Sequence, residues 1–232
     1  MSITATAFDP EDQSGKNVAP LVRPESLLGE WQTVARAAQI ARETGKLRGP
    51  VTGFPSIDRA MGGALEPGLH ILHGGTGSGK TAMALQISAQ CGYPCLLVTT
   101  EMSPLELLRR VTARVTDTFL GRLKSGELDV GESIALARRG LMAIPEVLFM
   151  DATKTPAPAY WIATTAGHIR RESLLLVVDS IHSWVQGLSG ESASEYEALN
   201  AGVQSLQQIA SQLKAPVLAI AERNRGNMQT GG

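Results

Sequence analysis

Residues 74–81 read Gly74-Gly75-Thr76-Gly77-Ser78-Gly79-Lys80-Thr81, four glycines within six positions followed by a lysine and a hydroxyl residue. Such a run sits poorly inside a helix or a strand, because every glycine weakens either one. It is preceded by Leu69-His70-Ile71-Leu72-His73, which reads as a short strand. It is followed by residues 80–90, which read as a helix. Strand, glycine loop and helix in that order turn backbone N–H groups and the positive end of a helix toward one point, where an anion belongs. The spacing predicts a Walker A loop for ATP with Mg2+. Gly74, Gly75, Thr76, Gly77, Ser78 and Gly79 cradle the phosphates, Lys80 reaches the terminal ones, and the Thr81 hydroxyl ligates the metal.

The remainder of the chain alternates in the same way. Residues 95–100 (CLLVTT), 147–151, 174–179 (LLLVVD) and 216–221 (PVLAIA) read as further strands. Several are too continuously apolar to face water on either side. Between them, helices are expected over residues 104–116, 131–141, 157–171 and 194–213, with Ser103 and Glu106 forming a capping box at the first of these. Five buried strands alternating with helices predict an α/β fold, a mainly parallel sheet covered by helices on both faces. Ligand sites in such sheets lie at the C-terminal ends of the strands. Asp179 ends one strand, where the Mg2+-side acid belongs. Glu101 follows another, and is either the group that polarises an attacking water or a solvated loop acid.

Before this region the chain changes character. Residues 1–24 are rich in Ser, Thr, Asp and Pro and are expected to be disordered. Residues 25–48 contain an amphipathic helix, with Leu27, Leu28, Trp31, Val34, Ala35, Ala38, Ile40 and Ala41 near helical spacing and Gly45 placed as a C-cap. That helix either packs on its own domain, residues 49–232, or docks on a neighbouring subunit. The 21 Lys+Arg and 22 Asp+Glu nearly cancel, so bulk charge gives no support for a nucleic-acid or membrane partner. Cys91 and Cys95 lack the histidines of a zinc site and are expected to be buried as small apolar residues. No segment has the apolar length of a membrane span or signal peptide, which predicts a cytoplasmic protein.

Five elements, in order, resemble the RecA-like P-loop ATPase superfamily and most closely the ATPase domain of DnaB-type replicative helicases. They are Thr52-Gly53-Phe54 with Asp58 ahead of the glycine loop, the loop itself, Thr100-Glu101-Met102-Ser103, Val178-Asp179-Ser180, and the strand from Pro216 leading to Arg223-Asn224-Arg225. The resemblance implies that Glu101 and Lys80 are catalytic and that Asp179 and Thr81 hold Mg2+. It also implies a homo-oligomeric ring, hexameric in that family, acting on single-stranded DNA through Arg223, Arg225 and Asn227. Those three residues are otherwise an ordinary solvated turn.

Three departures from the family pattern stand out. Glu222 occupies the position of a phosphate-sensing glutamine, and a carboxylate can accept hydrogen bonds but not donate them. The long N-terminal domain of replicative helicases has no counterpart here. The chain ends at Gly232, before the family's later strands and arginine finger, so it is expected to be truncated. A RadA- or KaiC-like regulatory or recombination ATPase is the alternative reading, as is a nucleotide-binding remnant with little turnover.

Overall fold

In the strand Leu175–Asp179, Leu176 and Val178 point to one side of the sheet while Leu175 and Val177 point to the other, and all four are buried. Alternation with no polar partner is what a strand covered on both faces requires. The computed structural model describes residues 21–188 and 194–222. Residues up to Lys46 and those from Leu47 onward form two units, each described by itself.

The first unit contains a short 3-10 turn, Pro24–Leu27, and the helix α1, Leu28–Thr44. Gly45 ends the helix in the left-handed conformation at φ +67°, the C-cap that glycine suits. The expected amphipathic helix is therefore present. None of its residues is buried, and Trp31 is 76% exposed.

The second unit begins with α2 (Pro55–Ala60), β1 (Gly68–Gly74), α3 (Lys80–Gln90) and β2 (Cys95–Thr99). Next come α4 (Pro104–Thr116), α5 (Arg122–Ser125), α6 (Val130–Met142) and β3 (Val147–Asp151). It continues through α7 (Ala159–Ile169), β4 (Leu175–Asp179), α8 (Ile181–Leu188), α9 (Glu195–Leu213) and β5 (Pro216–Glu222). The described strands form one sheet in the order β1-β5-β4-β2-β3, and every neighbouring pair is parallel. Chains that return to a parallel neighbour must cross over a face of the sheet, and the crossovers are the helices.

Two apolar clusters result. On one face Leu96, Val98, Leu176, Val178, Val217 and Ala219 pack with Ile162 and Ala166 of α7, Trp184 of α8 and Leu206 and Ile209 of α9. On the other, Cys95, Leu97, Leu175, Val177, Leu218 and Ile220 pack with Ala84, Leu85 and Ile87 of α3 and Leu107 and Val111 of α4. Each fully buried leucine or isoleucine contributes about 1.5–3 kcal/mol, so the central strands anchor the fold. The expected burial of both cysteines is met, and among the described residues no group of three His, Cys, Asp or Glu side chains could hold a metal. No described helix is long and apolar enough to cross a membrane.

The structure departs from the local expectations in two places. The predicted capping box at Ser103 is half formed. The Ser103 hydroxyl accepts from the Glu106 N–H at 3.3 Å, but the Glu106 carboxylate lies 2.9 Å from the Lys124 ammonium. Its charge went to a better partner than a backbone N–H. Complete boxes close instead at Asp129 with Glu132 and at Ser194 with Glu197. Finally, α8 starts directly after β4 and was not expected. Its apolar residues Ile181, Trp184, Val185 and Leu188 have the i, i+3, i+4, i+7 spacing of a helix, hidden by its nearness to the strand.

Helices α8 and α9 approach closely at Gly202. A Cβ built there would lie 2.2 Å from a methyl carbon of Val185 and 3.5 Å from the Trp184 ring. Alanine in a helix interior ordinarily gains up to about 1 kcal/mol over glycine. Here crowding against a β-branched neighbour decides the sign, and Gly202→Ala is expected to destabilise by about 1–3 kcal/mol. Urea denaturation checks it, and an unchanged or higher midpoint would contradict this packing.

Candidate functional site

The parallel register sets the C-terminal ends of the strands side by side. Gly74 of β1 pairs with Glu222 of β5, and Thr99 of β2 pairs with Asp179 of β4. The loop after β1, the residues after β2 and the ends of β4 and β5 therefore meet at one edge. They border a cavity of about 310 Å³ whose walls include Gly77, Lys80, Thr81, Glu101, Asp179 and Glu222. Residues far apart in sequence are thus gathered into one place.

The loop has the backbone that an anion cradle needs. Gly77 and Gly79 have φ +77° and +87°, a conformation that other residues adopt only with strain. At Gly74 an added Cβ would lie 2.8 Å from the Ser78 hydroxyl oxygen and fill the bend. The Lys80 ammonium is folded back over this bend and donates to the carbonyls of Gly74, at 3.1 Å, and Gly75, at 3.0 Å. These carbonyl oxygens are the acceptors that the ammonium uses. The lysine also lies 3.5 Å from Glu222.

Beside it, Thr81 and Asp179 offer a hydroxyl and a carboxylate, hard oxygen donors of the kind Mg2+ prefers. Burial removes water from Asp179 and pushes its pKa up. A hydrogen bond from Thr81 opposes the shift, the charge of Glu101 adds to it, Lys80 opposes it, and Glu222 adds to it. A cation placed here would relieve that penalty. The residues present therefore fit a magnesium–polyphosphate group, on the evidence of the open cradle and the desolvated carboxylate.

Glu101 is braced rather than loose. The hydroxyls of Ser180 and Ser183 both donate to its Oε1, at 2.7 and 2.6 Å. Between the two strands, the Thr100 hydroxyl donates to the Asp179 carbonyl at 2.9 Å and accepts from the Ser180 N–H at 3.0 Å. The Asp179–Ser180 peptide is cis. Sequence reading missed both serines, although Ser180 directly follows Asp179 and Ser183 lies one helical turn further on.

Arg110 of α4 was missed as well. It lines the same cavity, with its Nε 3.5 Å from Glu106. The signal was present in its position, two turns into the helix that follows Glu101. Conversely, Asp58 proves to be structural in its contacts. Its carboxylate accepts from the Thr52 N–H and hydroxyl, at 2.6 and 2.7 Å, and from the Gly53 N–H at 3.1 Å. Thus the Thr-Gly-Phe segment is a turn locked by one acid. Arg223, Arg225 and Asn227 lie outside the described residues.

Known proteins resemble the chain in sequence and in fold. The sequence pattern of a family described as "DnaB-like helicase C terminal domain" matches residues 49–230. A protein named replicative DNA helicase DnaB from Nostoc sp. is 28% identical over 191 residues, covering 78% of this chain and 21% of that protein. A protein of the same name from Synechocystis sp. is 25% identical over 190 residues, covering 76% of this chain and 21% of its own length. The chain thus spans about a fifth of the length of these curated relatives. Among solved structures, a DnaB-like replicative helicase described with its interactions with primase superposes with a TM-score of 0.73 at 17% identity. That superposition covers 94% of this chain and 52% of the other.

The raised pKa of Asp179 has a consequence for stability. A carboxyl whose folded pKa exceeds its unfolded one favours the folded state's protonated form. Below the ordinary carboxylate range both states are protonated and the group costs nothing; as pH rises through the unfolded and then the folded value, the full cost appears. Asp179→Asn is therefore expected to raise the melting temperature of the nucleotide-free protein at neutral pH, with the gain shrinking toward about pH 4. Thermal denaturation across pH checks this, and a lower melting temperature at neutral pH would contradict it.

Proposed function

The chain belongs to the DnaB-like helicase C-terminal domain family, and on that premise we propose that it binds Mg-ATP in the loop of residues 74–81 and hydrolyses it. The observation that carries the proposal is the convergence of Lys80, Thr81, Asp179 and the braced Glu101 on one cavity. The backbone N–H groups of the loop and the start of α3 bind the phosphates, and Lys80 leaves the Gly74 and Gly75 carbonyls to pair with them. Thr81 and Asp179 would hold the ion. Bound Mg2+ supplies charge neutralisation on the phosphoryl oxygens. Glu101, oriented through Oε1 by the two serines, accepts the proton of the attacking water on its other oxygen.

Beyond nucleotide chemistry, the reading is of a motor domain on single-stranded DNA. Its curated relatives are named replicative DNA helicases, and Arg223, Arg225 and Asn227 are the residues proposed to meet the DNA phosphates. In this reading α1 is a linker, within residues 25–48, that docks its apolar face on a neighbouring subunit of a hexameric ring in the cytoplasm. The exposed side chains of Trp31, Val34 and Ile40 support that role. Residues 49–232 would then be the ATPase domain, with residues 1–24 as its tail.

Phosphate release from Mg-ATP, with and without single-stranded DNA, tests this function. The protein is expected to release phosphate faster with DNA, and the stimulation should fall steeply with added salt. Glu101→Gln should lower turnover by about a hundredfold or more, while Mg-ATP still binds. Undiminished turnover in that variant would overturn the role of Glu101. Turnover indifferent to DNA would overturn the motor reading and favour a regulatory ATPase.

A further inference from the structure

Glu222 ends β5 directly beside Gly74, and its carboxylate lies 3.5 Å from the Lys80 ammonium. The lysine side chain is only 9% exposed, whereas the Glu222 side chain is 45% exposed. The lysine is enclosed by the site, then, and the glutamate has solvent to move into. The Glu222 N–H faces the Nδ1 of His182 in α8 at 3.5 Å.

Among the described residues, the charged side chains that line the cavity are Lys80 and Arg110 against Glu101, Asp179 and Glu222, two cations against three acids. Asp179 and Glu101 have work assigned to them in the reading above. Glu222 has none, and it stands at the one cation a phosphate chain most needs. Any phosphate that recruits Lys80 must take it from Glu222. In the nucleotide reading the loop cradles the inner phosphates and Lys80 reaches the terminal ones, so the third phosphoryl group of a triphosphate would lie beyond the loop, toward the carboxylates that line the cavity. A carboxylate has no proton to donate to that group, so a close approach gives repulsion without a hydrogen bond.

We propose that Glu222 is a specificity-determining residue that weakens the grip of this site on nucleoside triphosphates relative to diphosphates, because its carboxylate, 3.5 Å from the Lys80 ammonium, repels the additional phosphoryl group. The proposal rests on the nucleotide reading of the loop given above. It assigns the departure from the family's glutamine a definite effect. Triphosphate binding must displace the glutamate toward solvent, and the site discriminates by the cost of doing so.

Calorimetric titration of the full chain with Mg2+ and a non-hydrolysable ATP analogue, and with Mg-ADP, tests the idea, repeated with Glu222→Gln and Glu222→Ala. Glutamine keeps the size of the side chain, removes the charge and adds an N–H donor. Alanine removes the charge and adds no donor. Both substitutions are expected to raise the ratio of analogue affinity to ADP affinity, glutamine by roughly tenfold. Retained ADP binding in each variant reports a folded site. A ratio within about threefold of the parent in both variants overturns the proposal. A rise in the glutamine variant alone also overturns it, since the effect would then come from the new donor and not from lost repulsion. Failure of the parent and both variants to bind either nucleotide would overturn the nucleotide reading itself.

Discussion

The parallel pairing of β1, β5, β4 and β2 is the constraint on which the rest of the structure depends. Gly74 stands opposite Glu222, Val178 opposite Ala219, and Thr99 opposite Asp179. In this register the glycine loop, the buried aspartate and the glutamate after β2 end at the same height. A shift of one residue in any pair would turn a whole strand's apolar residues to the wrong face. Because Leu175 to Val178 are buried on both faces, such a shift would exchange the side chains fitted to the two clusters and spoil the close packing of each. The hydrophobic core thereby holds the polar site to its geometry.

A second layer of control is local and polar. Thr100 joins the ends of β2 and β4 through its hydroxyl, and Ser180 and Ser183 then fix Glu101. Asp179 and Glu101 are like charges brought near each other, and the register and these hydroxyls keep them there. Burial and the neighbouring acids make the ionised Asp179 costly. A cation at this point would relieve that cost, and the Thr81 hydroxyl lies beside the carboxylate, hydrogen-bonded to it. The Lys80 contacts with two backbone carbonyls and Glu222 are the counterpart on the anion side.

Much of this was legible from residue order. Glycine at four positions before Lys80 and Thr81 requires a loop, and apolar runs such as LLLVVD require strands covered on both faces. Those two signals are enough for the α/β sheet and for the members of the site that end its strands. What escaped reading were contacts between elements. Ser183 reaches Glu101 only because α8 starts without a linker after β4. Arg110 enters the cavity only through the angle at which α4 leaves Ser103. Glu106 was expected to cap its own helix, yet Lys124 offered a full charge in place of a backbone N–H. Glu222 was read as out of place for sensing phosphate, but its pairing with Lys80 depends on β5 lying next to β1, a neighbour relation that strand order along the chain does not reveal.

The central claim is that the glycine loop, Lys80, Thr81, Asp179 and Glu101 form one nucleotide site. A crystal structure with Mg2+ and a non-hydrolysable ATP analogue tests it most directly. The account predicts phosphates within the loop of residues 74–81, Lys80 moved from the Gly74 and Gly75 carbonyls onto them, and the ion between the Thr81 hydroxyl and Asp179. An analogue bound elsewhere, with Lys80 still resting on those carbonyls, would contradict it.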